Sequence, residues 1–223
     1  MKIRHFFFLV IFALSATCAI AQDQRKVSFA VLGGINFQNL NGKTFSGDKL
    51  ENEMILGYHG GINLQMRLVP EFYFQPGLLY STKGGKNINN LYTSKYKLSY
   101  IEMPLNFVYK GLLGNGYVMV GFGPYIGYGI TGEVITESSI GDINSDIVFQ
   151  NTVEIGDPIT ANYFKAFDAG GNVFIAYETA VGLFIQMNSQ LGMLKINPDD
   201  KRFSDDKSII KNTGFGFSLG YRF

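Results

Sequence analysis

From Val27 onward the chain is written in short runs that alternate apolar and polar residues, the two-residue period of a strand with unlike faces. In "VSFAVLGGINFQ", Val27, Phe29, Val31, Ile35 and Phe37 oppose Ser28, Ala30, Gly34, Asn36 and Gln38. In "YHGGINLQMRL", Tyr58, Ile62, Leu64, Met66 and Leu68 oppose His59, Gly61, Asn63, Gln65 and Arg67. "FYFQPGLLYS" and "YIEMPLNFVYK" follow, with Phe72, Phe74, Leu78, Tyr80 and then Ile101, Met103, Leu105, Phe107 and Tyr109 on the bulky face. The second half repeats the scheme in "YVMVGFGPYIGYGI", "FDAGGNVFIAY", "VGLFIQMNSQL" and the terminal "TGFGFSLGYRF". Pro76 and Pro104 interrupt two of these runs, since proline removes a ladder donor.

Eight predicted strands leave seven connections, and their lengths alternate. Tight turns fall near Val69-Pro70-Glu71, in "KGLLGN" and near Glu178-Thr179. Long loops are expected at 40–55, 82–95, 131–162 and 192–212. Short turns on one side, long loops on the other and an even strand count predict an all-β fold: an eight-stranded antiparallel up-and-down transmembrane β-barrel. The interior of such a barrel is only wide enough for side chains to fill. The small polar face therefore belongs inside, and the bulky apolar face against lipid. A chain entering from the periplasm then gathers Phe72, Phe74, Tyr109, Tyr177, Tyr221 and Phe223 at the periplasmic ends. Phe37, Tyr58, Tyr80 and Tyr128 gather nearer the outer ends, giving the two aromatic girdles of a spanning barrel.

Composition sharpens this picture at the start of the chain. "MKIRH" is a basic n-region, "FFFLVIFALSATCAI" an apolar h-region and Ala19-Ile20-Ala21 a small-x-small site. Residues 1–21 thus read as a signal peptide cleaved after Ala21, and 22–223 as the barrel domain. Cys18, the only cysteine, lies inside the signal. Removing Lys2 and Arg4 leaves 17 basic against 18 acidic residues, a balance that points away from nucleic acid. No apolar run of transmembrane-helix length follows the signal.

The segments "GGINFQNL", "FYFQPGLLYSTKGG", "LSYIEMPLNFVYK" and "VGFGPYIGYGI" resemble the PorT-like outer-membrane β-barrel proteins, most specifically at Tyr100–Leu105. The resemblance covers nearly the whole mature chain. It implies a small eight-stranded barrel of Gram-negative outer membranes and a non-enzymatic structural or interaction role. Through the founding member it also implies support of protein secretion, and envelope integrity is the related expectation. The implied partners are outer-membrane lipid and lipopolysaccharide, the barrel assembly machinery, and a secretion or cell-surface protein. The terminal Phe223 resembles the signal that this machinery recognises.

Candidate chemistry is sparse. Arg67, Glu102, Lys110, Asp168 and Arg222 project into the lumen on this register, and Arg67 and Arg222 are expected to neutralise Glu102 and Asp168. The mature chain holds one histidine, His59, with no serine or carboxylate placed beside it by sequence, so no catalytic residue is assigned. "DINSD" puts Asp142, Asn144 and Asp146 at the 1, 3 and 5 positions of a calcium loop. Ile147 replaces the turn glycine and Val153 the final glutamate, so neither metal nor cofactor is expected. One long loop carries Lys83, Lys86, Lys95 and Lys97, and another Glu133, Glu137, Asp142, Asp146, Glu154 and Asp157, of opposite sign. They are read as a solvated surface, with attraction across the barrel mouth or docking of partners as the alternatives. Two other functions compete with the structural barrel: a barrel enzyme acting on lipid, and a soluble periplasmic ligand-binding barrel.

Overall fold

The computed structural model describes residues 27–223. The expected signal peptide at 1–21 and its cleavage after Ala21 lie outside the described residues. Twelve strands follow in chain order: β1 (Val27–Lys43), β2 (Ile55–Val69), β3 (Phe72–Ile88), β4 (Tyr92–Leu113), β5 (Gly116–Ser138), β6 (Gly141–Phe149), β7 (Thr152–Val153), β8 (Asn162–Phe164), β9 (Phe167–Thr179), β10 (Leu183–Gly192), β11 (Asp199–Asp200) and β12 (Ile209–Arg222). Eight of them close on themselves, in the order β1, β2, β3, β4, β5, β9, β10, β12 and back to β1. Every neighbouring pair in this ring is antiparallel. Closure leaves the ring without a free edge, which is what lipid demands.

The parity read from sequence separates the two faces. Ile35, Tyr58, Phe72, Leu78, Phe122, Ile175, Ile185 and Leu219 stand outside, all exposed on the isolated chain. Asn36, Gln65, Gln75, Glu102, Asn106, Asp168, Gln190 and Ser218 are buried inside. An apolar band of this extent suits lipid and not water, which sets aside the soluble periplasmic barrel. The inside is less uniformly small than expected, because Tyr100, Tyr125, Phe174 and Phe184 are also buried there. Cross-strand glycine makes the room: Phe174 lies opposite Gly121, and its ring occupies the space a Cβ at Gly121 would need. The prolines are tolerated at a cost in pairing. The β3–β4 register steps from Pro76↔Leu105 to Leu79↔Glu102, skipping the rungs beside Pro104.

Two of the four expected long loops are largely strand. β3 and β4 pair as far as Ile88↔Thr93, and β4 with β5 as far as Tyr92↔Ser138. β5 then turns into β6, making a four-stranded blade of β3, β4, β5 and β6. A tilted strand climbs about 2.5 Å per residue along the membrane normal, and the apolar band is about 25 Å tall. The stretch from Ser99 to Tyr92 therefore stands roughly 20 Å beyond it. Cross-strand Lys95–Glu137 and Lys97–Glu133 pairs hold this part together. Those charges are what made it read as loop. After β6 the same connection adds the short strands β7 and β8, β8 pairing in parallel with β6, and the connection before β12 adds β11, which pairs in parallel with β7.

Candidate functional site: a filled lumen beneath an extracellular blade

Three layers fill the barrel from the outside inward. The outermost is apolar: Leu40, Leu98, Tyr100, Val134, Ile147, Phe164 and Ile196 form one buried cluster over the mouth. Beneath it Lys83 descends from β3. Its Nζ lies 2.5 Å from Glu102 of β4 and 3.1 Å from Asp168 of β9. The ammonium also sits 4.2 Å from the ring centre of Tyr125. Asp168 Oδ2 accepts further bonds from Tyr125 and Asn212, and Glu102 Oε2 one from Gln190. All three charged side chains are essentially inaccessible, so each requires these partners.

The periplasmic layer carries the opposite balance. Glu178 of β9 is bridged by Arg222 at 2.8 Å and by Lys110 at 2.6 Å. Arg222 also donates to Asn63 and Gln75. One layer holds two acids and one base and the other two bases and one acid, so the lumen is balanced as a whole. Between them lies a cavity of about 40 Å³ lined by Asn36, His59, Glu102, Asn106 and Asn172, among others. That is room for two or three waters.

The predicted pairing is therefore corrected. Glu102 and Asp168 are neutralised by Lys83, and Arg222 by Glu178. Arg67 forms no ion pair among the described residues. It faces inward by parity and pairs in register with Tyr73, but it lies near the periplasmic end of β2, where it is exposed and water solvates it. Local pattern does not single out Lys83 and Glu178, because one falls in an expected loop and the other in an expected turn. Both keep the inward parity of Ser81 and Asp168, so extending the alternation finds them.

His59 has partners that sequence did not suggest. Gly34 of β1 is the register partner of both His59 on β2 and Ser218 on β12. With no side chain on Gly34, the imidazole reaches across, its Nε2 2.7 Å from Ser218 Oγ and its Nδ1 2.5 Å from Asn36 Oδ1. This Ser218–His59–Asn36 chain has the connectivity of a nucleophilic triad. It lacks the rest of one. The adjoining cavity of about 40 Å³ has no room for a lipid or other organic substrate, and the backbone N–H groups beside Ser218 lie within a continuous sheet, where an oxyanion needs free donors.

Phe72 and Tyr109 pack at 5.3 Å, Phe74 and Phe107 at 5.5 Å, and Tyr221 and Phe223 at 4.9 Å, all at the short-turn end. The Tyr177 hydroxyl donates to the Leu113 carbonyl at that same end. Towards the other end Phe37 stacks on Phe215, and Tyr58 on Tyr80. The Phe223 N–H donates to the Phe29 carbonyl, tying the last residue to β1. "DINSD" is not a loop. It lies in β6, extended along β5, so its acids cannot converge on one ion. The opposite-sign segments do meet, through Lys95–Glu137 and Lys97–Glu133, as rungs of the blade and not as loops across the mouth.

The family described as outer membrane protein beta-barrel domain matches residues 20–197. Among solved structures the chain is similar to Neisserial surface protein A, with 12% identity, a TM-score of 0.45, and coverage of 88% of this chain and 99% of that one. It is also similar to Ail, the attachment invasion locus protein of Yersinia pestis, with 10% identity, a TM-score of 0.40 and the same coverage. No curated protein matches the chain.

Proposed function

As a member of the outer membrane protein beta-barrel domain family this chain is an integral outer-membrane β-barrel, and we propose that it works without catalysis, through partners held by its extracellular blade and loops. One observation carries this reading. The lumen is closed by an apolar cap and two charged layers, while four strands continue beyond the membrane into a blade. An interior with room only for waters neither transports nor transforms a solute, which leaves the projecting surface to act. The finer reading, drawn from the PorT-like resemblance, is support of protein secretion or envelope integrity. In it the lumen network of Lys83, Glu102, Asp168, Lys110, Glu178 and Arg222 serves as a plug. The aromatic ends anchor in lipid, with lipopolysaccharide around the outer ring, and Phe223 is the residue by which the assembly machinery takes the chain.

The lipid-enzyme reading has one observation in its favour, the Ser218–His59–Asn36 chain. Its position inside the closed lumen, away from the lipid face, weighs against it. The test is cross-linking in intact cells followed by pull-down of the wild type and of a variant in which Lys86–Lys95 and Ile135–Asn144, which carry the outer rungs of the blade, are each replaced by a tight turn. The expected result is a partner retained by the wild type and lost by the shortened barrel at equal outer-membrane levels. The same partners from both would contradict the proposal.

A further inference from the structure

The blade ends on an unpaired edge. β5 covers one side of β6 along Gly141–Asp146, but β8 reaches only Ile147–Phe149 on the other. Over Gly141–Asp146 every second backbone N–H and C=O therefore faces solvent, and the segment is exposed except for a half-buried Ser145. The edge carries no proline. It begins at the tip, where Ile140 is 97% exposed and Ile143 68%.

Charge across the blade shows what this edge lacks. On its outer face Lys97 of β4 stands opposite Glu133 of β5, and Glu133 opposite Asp146 of β6. Two rungs further, Lys95 is 2.5 Å from Glu137, which stands opposite Asp142. Each lysine is taken by a glutamate of β5. Asp142 and Asp146 then face like charges on that side and have no ion pair among the described residues. Directly opposed like charges destabilise a sheet, and a cation on the open side of β6 would relieve both. A second copy of the chain does not supply it. Two β6 edges paired antiparallel about Asn144 would set Asp142 against the other copy's Asp146.

We propose that the Gly141–Asp146 edge of β6 is a docking edge for an extended segment of another protein with basic residues at alternate positions. The segment adds as a further strand: its backbone pairs with the free groups of β6, its cations meet Asp142 and Asp146, and its apolar side chains lie beside Ile143. This rests on the reading of the blade as the interaction surface and names the chemistry of its occupant.

The test uses the full-length barrel in detergent and an end-blocked octapeptide alternating lysine and valine as the probe. Saturable binding is expected for this peptide, and at least about tenfold weaker binding for an N-methylated version that cannot pair as a strand. The variant Asp142→Lys/Asp146→Lys should lose at least about tenfold for the lysine peptide and gain for a glutamate–valine peptide. Its heat-modifiable mobility should be unchanged, which certifies the fold. Absence of binding, equal binding of the N-methylated peptide, or indifference to the charge reversal would each overturn the proposal. If the shortened blade still loses its cellular partner, the broader reading survives that failure.

Discussion

Replacing Lys83 by methionine removes the cation shared by two carboxylates that have no access to water. At an effective dielectric of about 20, unit charges at the Lys83–Asp168 distance of 3.1 Å attract by roughly 5 kcal/mol. Most of that gross attraction offsets the desolvation of the groups. The measurable quantity is the cost of leaving charges buried and unpaired, about 3–5 kcal/mol when one partner of a buried pair is removed. Here one ammonium serves two acids, so Lys83→Met belongs at the upper end. With an unfolding slope of about 2 kcal/mol per molar urea, a loss of about 5 kcal/mol should lower the midpoint by about 2.5 M. The assay is urea unfolding of barrels refolded in lipid vesicles, read by heat-modifiable gel mobility. The variant Lys83→Met/Glu102→Gln/Asp168→Asn keeps the volume and removes the charge, and should recover at least half of the loss. A wild-type midpoint for Lys83→Met would refute the reasoning, as would a triple variant no better than the single one.

Other predictions concern closure, assembly and the outer loops. A Cβ at residue 34 would overlap the Phe217 carbonyl, so Gly34→Ala should loosen the β1–β12 seam and separate His59 from Ser218. The expected loss is about 1–3 kcal/mol, read in the same urea assay, and an unchanged midpoint would contradict it. Deleting Phe223 should lower outer-membrane levels without altering any surface binding, and normal levels would refute its role in assembly. In the loop before β12 Asp200 makes a two-pronged pair with Arg202, whose guanidinium also bonds the Pro158 carbonyl. The hydrogen bond from Arg202 holds the Asp200 carboxyl below its ordinary value of 3.8. That contribution is present above pH 3.8 and lost as pH falls through the lower folded value. Arg202→Gln at neutral pH should therefore raise protease nicking of residues 193–208, as acid does in the wild type.

Much of the barrel is legible in the sequence because lipid and lumen impose opposite demands on alternate residues. "TGFGFSLGYRF" shows it most plainly: Phe217, Leu219, Tyr221 and Phe223 stand outside, and Ser218 and Arg222 within. Beyond the membrane that contrast weakens, since the outer face of the blade meets water and its inner face is apolar only where it packs over the mouth. Lys95, Lys97, Glu133 and Glu137 then look like loop residues although they are rungs of a sheet. Lys83 was hidden at this boundary, one step past the last lumen residue assigned to β3. The His59–Ser218 contact was hidden for another reason. It depends on β1 lying between β2 and β12 in a register that sets Gly34 opposite both, and local pattern carries no such information. The Arg67 expectation failed because the residue lies at the exposed periplasmic end of β2, and alternation gives a side chain's face but not its depth.

Planar-bilayer conductance of the purified wild-type protein shows directly whether the lumen is closed. The two charged layers and the apolar cap predict a bilayer without discrete current steps at moderate voltage and high salt. Stable open currents of uniform size from the wild-type barrel would contradict a closed lumen.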